Sequence, residues 1–269
     1  MKKSGILMPV SSLPSAYGIG ALDSAAYHFV DQLQRGAQRI WQILPLGMTG
    51  YGNSPYQPLS LRSGNPYFLS LEELAENGWL YPDELPPREI HRDRVDYGWL
   101  YETRMHLLHL AFSRSGIAED QAFLRFQQQE EIQDHALYMA LKDRYHGAPW
   151  YEWPQPLRFR DKQALAQAKQ ELCEEMAFHA FTQYVFEQQW MKLKRYANQK
   201  GIEIIGDLPF HAAYDSVDVW AHPQLFMLNA RLEMEMTAGC AGDRDHPQGQ
   251  NWKSEASGLR KTSPNSNSL

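Results

Sequence analysis

The sequence predicts an α/β fold built on parallel strands with helical crossovers, and three observations carry that expectation. Two short apolar runs, Ile6-Leu7-Met8-Pro9-Val10 and Ile40-Trp41-Gln42-Ile43-Leu44, flank an amphipathic stretch. A third run, Ile202-Glu203-Ile204-Ile205-Gly206, follows a long region of helical periodicity. The length, 269 residues, suits one α/β barrel or two smaller domains.

The first run is bounded by Gly5 and Ser11 and reads as a buried strand. A helix follows, with Asp23 or Ser24 as its N-cap. Ala26, Phe29, Val30 and Leu33 fall at i, i+3, i+4 and i+7 and make one apolar face, and Gly36 ends the helix. The second run then reads as another buried strand up to Pro45, so strand, helix and strand form a right-handed βαβ unit. Residues 47–67 are rich in Gly, Pro, Ser, Asn and Tyr and read as a long loop at the end of that strand. Residues 70–147 carry helical patches, with Leu100, Leu107, Leu108 and Ala111 in one stripe, broken by Pro82, Pro86 and Pro87. This is an insertion packed beside the strands and not a further set of strand–helix repeats. Residues 162–199 predict a long helical region with Phe178, Phe181, Val185, Leu193 and Tyr196 on one stripe, ended by Gly201. The third strand leads to Asp207, at the end of the strand where ligands bind in such sheets. From Gly239 onward apolar residues are sparse, and the Ser263-Pro264-Asn265-Ser266-Asn267-Ser268 ending predicts a disordered or loosely packed tail. The resulting divisions are 1–47, 48–160, 161–235 and 236–269.

Composition narrows the function classes. Lys and Arg number 26 against 32 Asp and Glu, a net charge of −6, with no basic block. Such a chain is a poor candidate for nucleic acid or an anionic membrane. Cys173 and Cys240 encode no disulfide framework and no zinc spacing, which fits a reducing cytoplasm. The apolar run after Met1-Lys2-Lys3 is broken by Ser11, Ser12 and Pro14, shorter than the ~7–15 residues of an export core. Aromatic residues make up 12%, which suits a sugar-stacking cleft but, on composition alone, favours an aromatic core.

Three segments carry a family resemblance. The first is Ser4-Gly5-Ile6-Leu7 through Ser11-Ser12-Leu13-Pro14 and Tyr17-Gly18-Ile19-Gly20. The second is Trp41-Gln42-Ile43-Leu44-Pro45-Leu46-Gly47, running into Gly50-Tyr51-Gly52-Asn53-Ser54-Pro55-Tyr56-Gln57 and Gly64-Asn65-Pro66-Tyr67. The third is Gly206-Asp207-Leu208-Pro209-Phe210, followed by Asp215-Ser216 and Val219-Trp220-Ala221-His222-Pro223. Together they resemble the amylomaltases, the 4-α-glucanotransferases of glycoside hydrolase family 77, over residues 4 to 229. The resemblance implies a partial (β/α)8 TIM-type barrel, its first three strands, with a helical insertion after the second strand. It implies transfer of α-1,4-glucan segments between maltodextrins with retention, needing a nucleophile and an acid/base carboxyl ~5–5.5 Å apart. No metal or organic cofactor is implied, and the expected partner is a maltodextrin.

The resemblance places Tyr51, Ser54, Tyr56, Gln57, Asn65 and Asp207 at the substrate. Tyr51 and Tyr56 sit in a loop with little local core to join, which favours sugar stacking over loop packing. Ser54, Gln57 and Asn65 can bond sugar hydroxyls or satisfy turn amides. Asp207 ends an apolar strand, where a carboxylate must be solvated or paired, and in the family its counterpart lines the cleft without being the nucleophile. His211 stands where the family motif has an apolar residue. The family nucleophile belongs to an Arg-x-Asp-His motif on a fourth strand, and no such strand follows here. Arg94-Val95-Asp96 lies in the helical insertion and Arg244-Asp245-His246 in the polar tail, so neither fits. The expectation is a truncated N-terminal half, inactive alone, or alternatively a non-catalytic maltodextrin-binding remnant.

Overall fold

The three apolar runs form one parallel sheet. In the computed structural model, which describes residues 3–50, 52–87, 94–209, 212–234 and the backbone of 255–256, β1 (Gly5–Leu7), β2 (Ile40–Gln42) and β3 (Glu203–Ile205) lie in that order. The register sets Ile6 beside Trp41 beside Ile204, and Leu7 beside Gln42 beside Ile205. The ladder continues past the strand ends, where Met8 N–H donates to Gln42 C=O and Ile43 N–H to Ile205 C=O, both at 2.9 Å. The strands are shorter than the apolar runs because Pro9 and Pro45 carry no N–H for the ladder. Val10–Ser12 becomes a 3-10 turn instead.

Helix α1 (Ser24–Arg35) makes the crossover from β1 to β2. Asp23 is its N-cap, its carboxylate accepting from Ala25 N–H at 3.0 Å. Ala26, Val30 and Leu33 are buried as the spacing predicts, and Phe29 meets Trp41 edge-on, ring centroids 5.1 Å apart. Gly36 stands at the C-cap, but the left-handed residue is Ala37 (φ 54°). Gln38 N–H closes the end by donating to Leu33 C=O at 2.9 Å, the six-to-one bond of a Schellman turn.

Between β2 and β3 the chain is helical: α2 (Leu71–Glu76), α3 (Tyr97–Arg114), α4 (Gln121–Phe126), α5 (Glu130–Arg144), α6 (Gln155–Arg158), α7 (Lys162–Glu171) and α8 (Cys173–Gln199). On α3 the stripe Leu100, Leu107, Leu108 and Ala111 is buried, and Arg104 is buried with it. Its guanidinium donates to Leu69 C=O at 3.0 Å and Tyr17 C=O at 3.1 Å. Burial lowers its pKa to about 10 while Asp23 favours the cation, so it stays charged at neutral pH. It ties the loop after β1 to the turn after residue 65. The single helical region expected over 162–199 is two helices that break at Leu172 (φ −111°, ψ 24°). Gly201, at φ 74°, ends α8.

One expectation is corrected here. The strands were read as buried on both faces, yet all of β1 is exposed and β3 is covered only at Ile204, which is half-buried. Helices cover the face of Trp41, whereas Leu7 (53% exposed), Gln42 and Ile205 (46%) form an open row on the other. The apolar run records that a face needs covering, and the described residues supply one helical layer only. Glu255–Ala256 (β5) pairs antiparallel with β4 (Ala212–Ala213), and the rest of the segment from 236 lies outside the described residues. A two-residue pairing leaves no periodicity for a sequence reading to find. A last helix, α9 (Val217–Ala221), is capped by Ser216. Among the described residues no helix is long and apolar enough to cross a membrane.

Candidate functional site

The parallel arrangement gathers the C-terminal ends of β1, β2 and β3 at one edge, and the candidate site lies there. β1 runs into Met8-Pro9 and β2 into Ile43-Leu44-Pro45, with no acid at either end, while β3 runs through Gly206 to Asp207. Asp207 is half-buried and both of its oxygens accept hydrogen bonds. Oδ1 takes Leu208 N–H at 2.9 Å, and Oδ2 takes the Tyr56 hydroxyl at 2.8 Å. A strand end and a loop 151 residues earlier thus meet in one polar pair.

The loop that brings Tyr56 there is a two-stranded ribbon. Leu46 C=O accepts from Asn65 N–H at 2.8 Å, Met48 C=O from Leu59 N–H at 2.9 Å, and Gly50 N–H donates to Gln57 C=O at 3.3 Å. Thr49 and Pro58 form an antiparallel bridge between them. The chain reverses at Gly52 (φ 94°) and Asn53 (φ 55°), consecutive left-handed residues of the two types that tolerate that conformation. Ser54 Oγ accepts from Tyr56 N–H at 3.3 Å, and Ser54 C=O from Gln57 N–H at 3.1 Å. These short turns set the direction in which Tyr56 leaves the tip.

Hydrogen bonding to Asp207, then partial desolvation, raises the Tyr56 phenol above its usual value near 10. Tyr56 is therefore a neutral donor at physiological pH, and Asp207 keeps acceptor capacity toward the open side. The pair can grip a hydroxyl-rich ligand, with the half-buried ring of Tyr56 beside it. A single carboxyl group can serve as an acid or as a nucleophile, but not as both in one step. Among the described residues no group of three or more His, Cys, Asp or Glu side chains is placed to hold a metal.

The other candidates divide. Ser54 and Gln57 are half-buried in the ribbon tip beside Tyr56. Asn65 is a correction: it is 1% exposed, and its side-chain oxygen accepts from Tyr67 N–H at 2.9 Å, capping the 3-10 turn Pro66–Phe68. Of the two roles its residue type allowed, the turn-amide role is the one it has, because a buried amide cannot reach a ligand. Tyr51 and His211 lie outside the described residues. Asp96, of the Arg94-Val95-Asp96 decoy, caps α3 by accepting from Trp99 N–H at 3.0 Å, while Arg244-Asp245-His246 lies outside the described residues.

Sequence reasoning missed the polar side chains that hold the ribbon in place. Gln183, on α8, is buried against Gly64 at the ribbon's root, while Gln189, on the same helix, is buried against Ser70 beyond it. Ser63 Oγ meets His135 Nδ1 at 2.8 Å, and Asp218 accepts from Leu61 N–H at 2.9 Å. The available signal was weak: Gln189 falls eleven residues after Phe178, on the same side of a helix whose apolar stripe was already assigned.

The chain matches known proteins over most of its length. Residues 8–257 match the sequence profile of the family described as 4-alpha-glucanotransferase, glycoside hydrolase family 77, well past residue 229. The chain is 44% identical over 254 residues to a 4-alpha-glucanotransferase of Thermus thermophilus, covering 92% of this chain and 50% of that protein. It is 42% identical over 257 residues to one from Streptococcus pneumoniae, covering 93% and 51% respectively. Among solved structures, amylomaltase from Streptococcus agalactiae in complex with acarbose superposes with a TM-score of 0.88 at 37% identity, over 95% of this chain and 53% of that one. The chain spans about half the length of the curated relatives it matches.

Proposed function

The chain belongs to the 4-alpha-glucanotransferase family, and from that premise we propose that it forms one wall of an α-1,4-glucan-binding cleft in a retaining glucan-transfer fold. The observation that carries the reading is the bond between Tyr56, on a loop rich in Gly and Pro, and Asp207, at a strand end. The similar amylomaltase structure in complex with acarbose supports a saccharide-like ligand for this fold. The sheet is proposed as the first three strands of a (β/α)8 barrel, with the loop and α2 to α6 (residues 48–160) as an insertion, α7 and α8 continuing the barrel, and the cytoplasm as its compartment. Ser54, Gln57 and Tyr51 are proposed to lie with Tyr56 along the glucan, with no metal or organic cofactor.

The chain by itself is proposed to bind and not to turn over. Retaining transfer needs a nucleophile and an acid/base flanking one bond, and of the three strand ends only that of β3 carries an acid. Losing one member of such a group costs orders of magnitude in rate. The test combines a turnover assay with a titration. Purified chain incubated with maltotriose should leave maltotriose alone on a chromatogram. Maltoheptaose should bind, and Tyr56→Ala should weaken it about three- to ten-fold, the worth of one stacked aromatic. New glucose and longer oligomers, abolished by Asp207→Asn, would overturn the catalytic half of the proposal. Failure of the parent chain to bind maltoheptaose would overturn the binding half.

A further inference from the structure

The ribbon that presents Tyr56 is held by hydrogen bonds at both ends. Its tip is fastened by the bond from Tyr56 to Asp207, and its root closes where Asn65 N–H meets Leu46 C=O. Beside that root, the Gln183 side chain takes both backbone groups of Gly64. Its Oε1 accepts from Gly64 N–H at 2.8 Å and its Nε2 donates to Gly64 C=O at 3.0 Å. Gln183 is 6% exposed, so both bonds are sheltered from water and a break in either leaves a buried polar group unpaired. Gly64 is pressed onto the same helix, because a Cβ there would come within 2.2 Å of the Phe186 ring. Gln183 pairs with Gly64 as a neighbouring strand would, and it fixes where the ribbon leaves α8.

A second glutamine on α8 makes a matched comparison. Gln189 accepts from Ser70 N–H at 2.8 Å and donates to Ser70 C=O at 3.4 Å, and it too is buried, at 1% exposed. Ser70, however, lies beyond the ribbon, at the N-cap of α2. The two clamps share chemistry and burial and differ in what they hold.

We propose that Gln183 is a positioning residue for glucan recognition, acting through Gly64 and the ribbon to place Tyr56 against Asp207. The proposal rests on the reading of Tyr56 and Asp207 as glucan-facing, and its first readout does not need a glucan. The Tyr56 ring can be followed by carbon-13 NMR of tyrosine-labelled chain, assigned by Tyr56→Phe. In the parent its titration should sit above the ordinary tyrosine value, as the bond to Asp207 requires. Gln183→Met keeps the side-chain length without the two bonds. It should return the Tyr56 titration to about 10 and weaken maltoheptaose about ten-fold. Gln189→Met should lower the melting temperature by a similar amount and move neither readout. Gln183→Glu, which keeps an acceptor for Gly64 N–H, should give an intermediate Tyr56 shift and decides the matter if Gln183→Met does not fold. A Gln183 variant that melts earlier with Tyr56 unmoved would overturn the proposal, as would a Gln189 variant that moves Tyr56 equally. A parent chain that binds no maltoheptaose, but whose Tyr56 responds to Gln183, would sink the glucan reading and leave the positioning intact.

Discussion

At the scale of single residues, solvation separates the polar side chains left open at the strand ends from those that serve the fold. The paired state of Asp207 was legible, because a carboxylate at the end of an apolar strand must be solvated or paired, and its Oδ2 accepts from the Tyr56 hydroxyl. Asn65 was not, because an amide in a Gly/Pro-rich loop serves a cap or a sugar equally well, and only its burial separates the two. His135 left no signal at all, although burial pushes its imidazole down to about 3, with His179 as a lesser cause. A consequence for stability follows by linkage. The unfolded chain protonates His135 near its ordinary value, about 6.5, and the native chain does not until far lower pH. The stabilisation is therefore complete above about pH 6.5 and is lost as the pH falls toward 3. His109 adds to this with the same sign, its imidazole lowered by burial first and by His179 second. Between pH 7.5 and 5, His135 alone accounts for about 2 kcal/mol. Urea unfolding at both pH values should show the parent losing that much more than His135→Gln, which keeps a polar partner for Ser63 and does not titrate. Equal losses in the two proteins would place the native imidazole near its ordinary value.

At the scale of elements, the strands and the amphipathic stripes of α1, α3 and α8 were written in the sequence as periodicity. The breaks and braces between them were not. Nothing in residues 162–199 marks Leu172 as an interruption, and β4 and β5 are too short to have a period. The brace around Asp215 joins elements 73 residues apart in sequence. Its Oδ1 accepts from the Tyr138 hydroxyl at 2.7 Å and from Trp150 N–H at 3.1 Å, and its Oδ2 from Lys142 Nζ at 2.7 Å. Lys142 is 7% exposed and also donates to Gly147 and Ala148 C=O. The brace fastens α5 to the segment between Asp207 and α9, so it holds the insertion against the candidate site. Asp215→Ala leaves an ammonium buried without its counter-ion and a phenol unpaired, and it should cost about 3 kcal/mol in denaturant unfolding. The ion pair of Lys192 and Glu73, whose lysine side chain is 53% exposed, sets the contrast. Glu73→Gln should leave the midpoint where it is, because water replaces what an exposed pair loses. If both substitutions shift the midpoint equally, burial is not what gives the Asp215 brace its strength.

At the scale of the whole molecule, the sheet is the part whose surroundings least resemble the interior of a protein. Parallel sheets bury both faces, because βαβ crossovers lay helices over one and further structure covers the other. Here α1 and α8 pack on the side of Trp41, while Leu7 and Ile205 stand 53% and 46% exposed across the sheet from each other, with Gln42 between them. Leu208, just past Asp207, is 74% exposed. The outer edges of β1 and β3 pair with no further strand among the described residues. The relatives carry about as much chain again as is matched here, and among the described residues the apolar row and the two sheet edges are open. In a solution of this chain alone, the same features offer a template for another copy. Association should therefore rise with concentration and be seen by sedimentation equilibrium. The double substitution Leu7→Lys and Ile205→Lys puts two charges on the open row without touching the helix-covered side. It should shift the distribution toward monomer while the melting temperature stays close to the parent's, because neither side chain is part of the buried core. A parent chain that stays monomeric at every concentration would mean that the exposed row is too small or too curved to pair. A double variant that melts far below the parent would mean that Leu7 and Ile205 already pack within the chain.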